Sequence, residues 1–239
     1  MMKNYLLFRL YGSMCSWGDI AVGEMRPSFP HPTKSAVLGL VAAALGIKRD
    51  EDEKHATLVE NYGFAVLVED MGEPLSDYHT AQVPPGKESY ITRRDELTRT
   101  PKSGLKTILS MRDYRTDAIY TVALWQRSAG KWSLEKLKEH LETPKFNLYV
   151  GRKSCPLALG LQPQIIPAAF LSEAFKKSRF VDIRALTSYE WPKGNKILYW
   201  DETNVSGIGH EKIFERRDVP LSRVRWQFDV RKEYYASIL

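Results

Sequence analysis

Cysteine is nearly absent. The 239 residues hold two, Cys15 and Cys155, with no CxxC pair and no metal-ligand spacing. That argues against a disulfide scaffold and for a reduced, cytoplasmic protein. The five histidines, His31, His55, His79, His140 and His210, are scattered, so no metal is expected. Phosphate-cradling glycine patterns are missing as well, and no cofactor is expected. No nucleophile elbow is present, although a Ser-His-Asp arrangement stays open. Arg9 interrupts the only apolar run near the N-terminus, which argues against a signal peptide. There is no transmembrane segment, low-complexity tract or short-period repeat. Acids are in deficit: 29 against 35 basic residues gives a net charge of +6. A polyanionic partner is favoured.

The excess charge is uneven. Between Lys87 and Arg115 lie eight basic residues (Lys87, Arg93, Arg94, Arg99, Lys102, Lys106, Arg112, Arg115) and four acids (Glu88, Asp95, Glu96, Asp113), so eight minus four leaves +4. The length allows one large domain or two small ones.

Residues 26–47 organise the chain. Pro27, Pro30 and Pro32 force an extended approach. Thr33 stands where an N-cap should stand, and Ala36 to Leu45 carries no polar side chain, which predicts a buried helix over 34–45. Gly46-Ile47 is its stop. At roughly 20 Å the helix is too short to cross a bilayer. Thr33, Lys34 and Ser35 surround the free N–H groups of its first turn, an arrangement suited to an anion; capping alone is the blander reading.

Alternation from Asn4 to Tyr11 predicts a strand with a core face (Leu6, Phe8, Leu10) and a mixed aromatic-basic face (Tyr5, Leu7, Arg9, Tyr11). A charged turn is expected over Lys48–Lys54, strands over 64–69 and 119–125, and a helix over 134–141 behind a Ser133 cap. Strand, helix, strand, strand, helix begins a ferredoxin-like βαββαβ unit. Between its second and third strands, Asp70 to Ala118 is too long for a turn and reads as a protruding basic β-excursion. Gln162 to Pro167 reads as a boundary. Beyond it come a short helix, 171–177, and strand-like runs at Asp182–Trp191, Lys196–Glu202, His210–Glu215 and Arg223–Tyr234.

Two basic, hydroxyl-bearing loops stand out: Thr33-Lys34-Ser35 and Gly151-Arg152-Lys153-Ser154. Aromatics lie beside basic residues, among them Trp17, Tyr78, Tyr90, Tyr114 and Tyr149. Aromatics interleaved with Arg and Lys suit unstacked single-stranded bases; half-buried strand tyrosines are the competing reading. Metal-free RNA cleavage would need a base, an acid and a cation. His31 near Lys34, Tyr78-His79 and Lys54-His55 are the nominal candidates.

Several motifs together resemble a known family. They are Met14-Cys-Ser-Trp17-Gly18, Pro32-Thr-Lys-Ser-Ala-Val-Leu-Gly-Leu, Asp77-Tyr-His-Thr80, Arg112-Asp-Tyr114 with Tyr120-Thr-Val-Ala-Leu124, and Tyr149-Val-Gly-Arg-Lys-Ser-Cys-Pro156. In order and spacing they are similar to the Cas-five subunits of type I CRISPR interference complexes (Cascade), nearest the type I-E branch. Agreement covers about the first 160 residues and weakens in the C-terminal third, where Arg217-Asp-Val-Pro220 fits best.

The resemblance implies an α+β, RNA-recognition-like domain over 1–162 with a long β-hairpin thumb at about 78–118, and a smaller β-rich region over 168–239. It implies a non-catalytic subunit that grips the single-stranded 5′ handle of the guide crRNA. It also implies contacts with the Cas-seven backbone subunits and the Cascade large subunit, target DNA reached indirectly, and no membrane. The expected RNA contacts are Trp17, Arg26, Thr33, Lys34 and Ser35; Tyr78, His79, Arg93, Arg94, Lys106, Arg112 and Tyr114 on the thumb; and Tyr149, Gly151, Arg152, Lys153 and Ser154. In the type I-C branch the relative is a metal-independent endoribonuclease using Tyr, Lys and His. Here no Lys-His pair follows the second strand, since Lys54-His55 precedes it.

Overall fold

β1 (Lys3–Tyr11) opens the chain as the alternation predicts. In the computed structural model, which describes residues 2–86, 88–186 and 194–238, both of its faces are buried. Leu6, Phe8 and Leu10 join the larger core, while Tyr5 and Leu7 join a second one. The expected aromatic-basic face is therefore a core face at Tyr5 and Leu7. Arg9 and Tyr11 keep some access, and Arg9 donates to Glu69 at 2.7 Å.

Four two-residue strands follow: β2 (Met14–Cys15), β3 (Trp17–Gly18), β4 (Met25–Arg26) and β5 (Ser28–Phe29). Then comes α1 (Lys34–Leu45). The Thr33 hydroxyl accepts the Ala36 N–H at 3.2 Å, and Gly46 ends the helix at φ +76°. Each large aliphatic that α1 buries, such as Val37, Leu38 and Val41, stabilises the fold by about 1.5–3 kcal/mol. The charged segment after it is not only a turn, because α2 (Asp52–Asn61) begins inside it.

β6 (Tyr62–Asp70) leads into a hairpin made of β7 (Glu73–Val83) and β8 (Lys106–Thr116). Its tip carries a short helix, α3 (Arg93–Thr98), capped by Thr92. Eleven residue pairs join the two strands, from Glu73 opposite Thr116 to Val83 opposite Lys106. The free edge of β8 pairs with β2 and, in parallel, with β4. The thumb is thus rooted in the loop between β1 and α1. β9 (Ile119–Gln126) and α4 (Leu134–Glu142) come next.

β10 (Gln164–Ala168) lies where a boundary was expected, and it pairs with β1. α5 (Leu171–Lys177) matches its expected range. Of the strand expected at Asp182–Trp191, residues 184–186 form a 3-10 turn, and residues 187–191 lie outside the described residues. β11 (Lys196–Trp200), β12 (Lys212–Ser222) and β13 (Gln227–Ile238) complete the chain. They do not form a sheet of their own. One seven-stranded antiparallel sheet runs β10-β1-β9-β6-β11-β13-β12. α1, α2 and α4 contribute to the core on one face, and α5 contributes to the core on the other. No described helix is long and apolar enough to cross a membrane.

Candidate nucleic-acid interface

The mouth of α1 already holds an anion. The backbone N–H of Lys34 donates to Asp218 Oδ2 at 2.7 Å. The Lys34 ammonium donates to Asp201 Oδ2 at 2.6 Å, with side chains 3% and 2% exposed. Burial pushes the Lys34 pKa down, and Asp201 offsets this only in part. Lys34 is therefore not free to meet a phosphate, which corrects the expectation placed on it. Thr33 is also buried, spent on capping and on a bond with the Ser35 hydroxyl. His31 lies inside, stacked on Tyr199 at 3.8 Å with Glu233 3.4 Å away.

The 149–156 loop is strapped to the β2–β3 segment. Ser16 donates its N–H to the Val150 carbonyl at 3.1 Å. Gly151 sits at φ +92°, and a Cβ there would overlap the Ser16 carbonyl oxygen. Only glycine permits that approach. Arg152 turns inward: it donates to the Arg26 carbonyl at 2.9 Å, and its guanidinium lies over the Tyr114 ring at 4.6 Å. Tyr114 is 8% exposed and Trp17 is buried edge-on to Tyr120. Neither offers a free face to a base, so both are corrected from stacking platforms to packing residues. Lys153 and Ser154 are exposed. Arg26 folds back on the carbonyls of Gly23 and Met25, at 2.6 and 2.8 Å.

Between these two regions lies a cleft of about 870 Å³. Thr33 and Ser35 line one wall, and Tyr149 and Gly151 another. The two loops singled out from the sequence thus converge. Arg223 and Trp226, from the turn joining β12 to β13, and Phe228, at the start of β13, also line it and were not anticipated. A signal was present, because arginines and aromatics interleave over 223–228 as they do elsewhere in the chain.

On the thumb, residues directly opposite share a face. Asp77 faces Arg112, and His79 faces Ser110; with Val83 opposite Lys106 they form one face, which also carries Tyr114 at its root. Tyr78, 60% exposed and opposite Met111, is on the other. Tyr78 and Tyr114 therefore do not act on one ligand surface. Arg93, engaged by Glu96 and the Gln82 carbonyl, and Arg94 sit on α3 at the tip. Arg112 donates to the Ser110 hydroxyl at 3.1 Å. Of the nominal catalytic histidines, His31 and His55 are buried. His79 is half-exposed beside Asp77 at 3.6 Å, and Tyr78 projects from the opposite face.

A sequence profile described as CRISPR-associated protein (Cas_Cas5) matches residues 5–234. The chain belongs to this family. The match spans the cleft, the thumb and the β12–β13 turn alike. Among curated proteins, this Cas_Cas5 chain is similar to the CRISPR system Cascade subunit CasD of Escherichia coli (strain K12). Identity is 33% over 244 residues, covering 98% of this chain and 96% of the relative. Two solved structures share the fold at 24% identity. One, titled CRISPR RNA-guided surveillance complex, has a TM-score of 0.66 and covers 98% of this chain and 90% of its own. The other, titled Crystal structure of Cas protein, has a TM-score of 0.59 and covers 98% and 94%.

Proposed function

We propose that this Cas_Cas5 chain is a non-catalytic Cascade subunit. It holds the single-stranded 5′ handle of the guide crRNA and caps the row of Cas-seven backbone subunits. The observation that carries this reading is the cleft, where the α1 start, the 149–151 loop and Arg223 meet beside exposed aromatic rings. Unstacked RNA suits such a surface. The thumb, with basic residues at its tip and a free outer face at Tyr78, supports contact with a neighbouring backbone subunit. The large subunit would be a further contact, and target DNA an indirect one. The order β10-β1-β9-β6 supports reading the first four long sheet strands as the ferredoxin-like unit of an RNA-recognition-like domain. The non-catalytic part is favoured because the candidate histidines do not converge with a cation at one accessible point.

Binding of single-stranded handle RNA by the full chain tests the reading. About five neutralised phosphates give a log–log salt slope near −3.5, at roughly −0.7 each; a slope near zero removes it. Incubation with repeat-containing precursor RNA in EDTA should leave the RNA intact. Single-site cleavage would establish the endoribonuclease instead.

A further inference from the structure

Most buried arginines of the C-terminal strands are neutralised. Arg231 bonds Asp218 at 2.7 and 2.9 Å and Glu233 at 2.6 Å. Arg216 approaches Glu233 at 3.1 Å. Arg223 is different. Its Nη2 donates to the Ser35 carbonyl at 2.5 Å, and its Nε has no partner. The guanidinium rests against Gly39, where a Cβ would come 3.1 Å from Nη2. Asp52 is near but accepts the Arg223 backbone N–H, at 2.9 Å, and the Ser222 hydroxyl. A second cation is adjacent as well: Arg49 donates from Nε to the Arg223 carbonyl at 3.1 Å. Burial first, and then Arg49, push the Arg223 pKa down. Among the described residues no carboxylate bonds either guanidinium; that of Arg223 lines the 870 Å³ cleft, and that of Arg49 is bonded to the Arg223 carbonyl and seated over Trp226. A half-buried guanidinium that makes no ion pair of its own is costly.

Trp226, which lines the same cleft, is also out of the ordinary. Its φ is +52°, a left-handed conformation that is strained for a bulky side chain. It is 59% exposed, so core packing does not account for it. Arg49 lies 3.9 Å over the indole, and Phe228 stacks with it at 6.0 Å.

We propose that this corner is a nucleotide subsite for single-stranded RNA, in which Arg223 and Arg49 take one backbone phosphate and Trp226 takes the neighbouring base. Arg49 turns from the indole to the phosphate, and the base takes its place over the ring. A guanidinium suits both positions, since it stacks on aromatics and pairs bidentately with phosphate. The proposal rests on the handle-binding reading and extends that site to the β12–β13 turn.

The test measures fluorescence anisotropy of a repeat-derived single-stranded RNA with the full chain and with three variants. Trp226→Gly relieves the backbone strain and so keeps or raises the melting temperature. It should weaken binding roughly 5- to 160-fold, the effect of removing one aromatic–base stack, with the salt slope unchanged. Arg49→Gln, on an exposed side chain, should flatten the slope by up to about 0.7, since the two arginines share one phosphate. Arg223→Gln should do the same; if it does not fold, the other two variants decide. Folded Trp226→Gly and Arg49→Gln chains that bind like wild type overturn the subsite while the handle reading stands. Wild-type chain that binds no single-stranded RNA overturns both.

Discussion

Removing the Lys34 ammonium would leave Asp201 with one cation instead of two, because Arg127 also bonds that carboxylate at 2.9 Å. Breaking a buried pair by deleting one partner costs about 3–5 kcal/mol. Lys34→Ala should fall near the low end, about 3 kcal/mol, because Arg127 and the Phe64 N–H still serve Asp201. Lys153→Ala, on an exposed loop, should stay within about 0.5 kcal/mol. Denaturant melts compare the two directly, and equal small losses would mean that Lys34 is not structural. This is also where sequence reading reaches its limit. Thr33 declares itself as a cap because its partner, Ala36, is three residues on. Lys34 looks like an anion ligand because Asp201 and Asp218, which occupy it, lie 167 and 184 residues away.

At the scale of elements, the same distinction separates α1 from α2. α1 has a side-chain cap, an unbroken apolar body and a glycine stop, all local signals. α2 has no side-chain cap at Glu51 and buries only His55 and Leu58, so ten mostly polar residues carry too weak a period to find. The thumb was legible as an excursion from its length and charge, but the assignment of side chains to its two faces requires the register. That register makes its parts separable. Residues 84–105 join Val83 to Lys106, an existing cross-strand pair, so an Asn-Gly turn can replace them. The shortened chain should fold and still bind handle RNA, while co-purification with the first Cas-seven subunit drops. Tyr114→Ala should instead cost about 3–5 kcal/mol of stability, as loss of a large buried aromatic does. A normal melt for that variant, together with weakened RNA binding, would return Tyr114 to the role of a stacking platform.

Across the whole molecule, ion pairs stitch the start of α1 to the last strands. Burial alone would raise the Glu233 carboxyl; the His31 hydrogen bond and charge, then Arg231 and Arg216, outweigh it and hold the pKa down at about 2. A carboxylate whose folded pKa lies below its unfolded value stabilises the fold above the unfolded value. That stability is lost as pH falls through the folded one. The window here runs from about 4.5 down to about 2, and the contribution is about 3 kcal/mol. Glu233→Gln should flatten the acid limb of a stability–pH profile; an unchanged limb would remove Glu233 as its source. The continuity of the sheet was the least legible feature of all. The β-rich character of the C-terminal third is written in its alternation, but which edge it joins is set by contacts between β6 and β11, more than a hundred residues apart.

That seam has a consequence during translation. β6 ends at Asp70, and the strand that pairs with its outer edge begins at Lys196, 126 residues later (196 − 70). At about 5–20 residues per second, the ribosome takes roughly 6–25 s to cover that distance. Through that interval the nascent chain carries an unpaired edge from Ala65 to Val68, and His31 and Lys34 await the acids that will neutralise them. Chains arrested before residue 196 should be cut readily by protease within β6, and those arrested beyond 238, clear of the exit tunnel, should resist. Neighbouring chains growing on one message would meet edge to edge in that window.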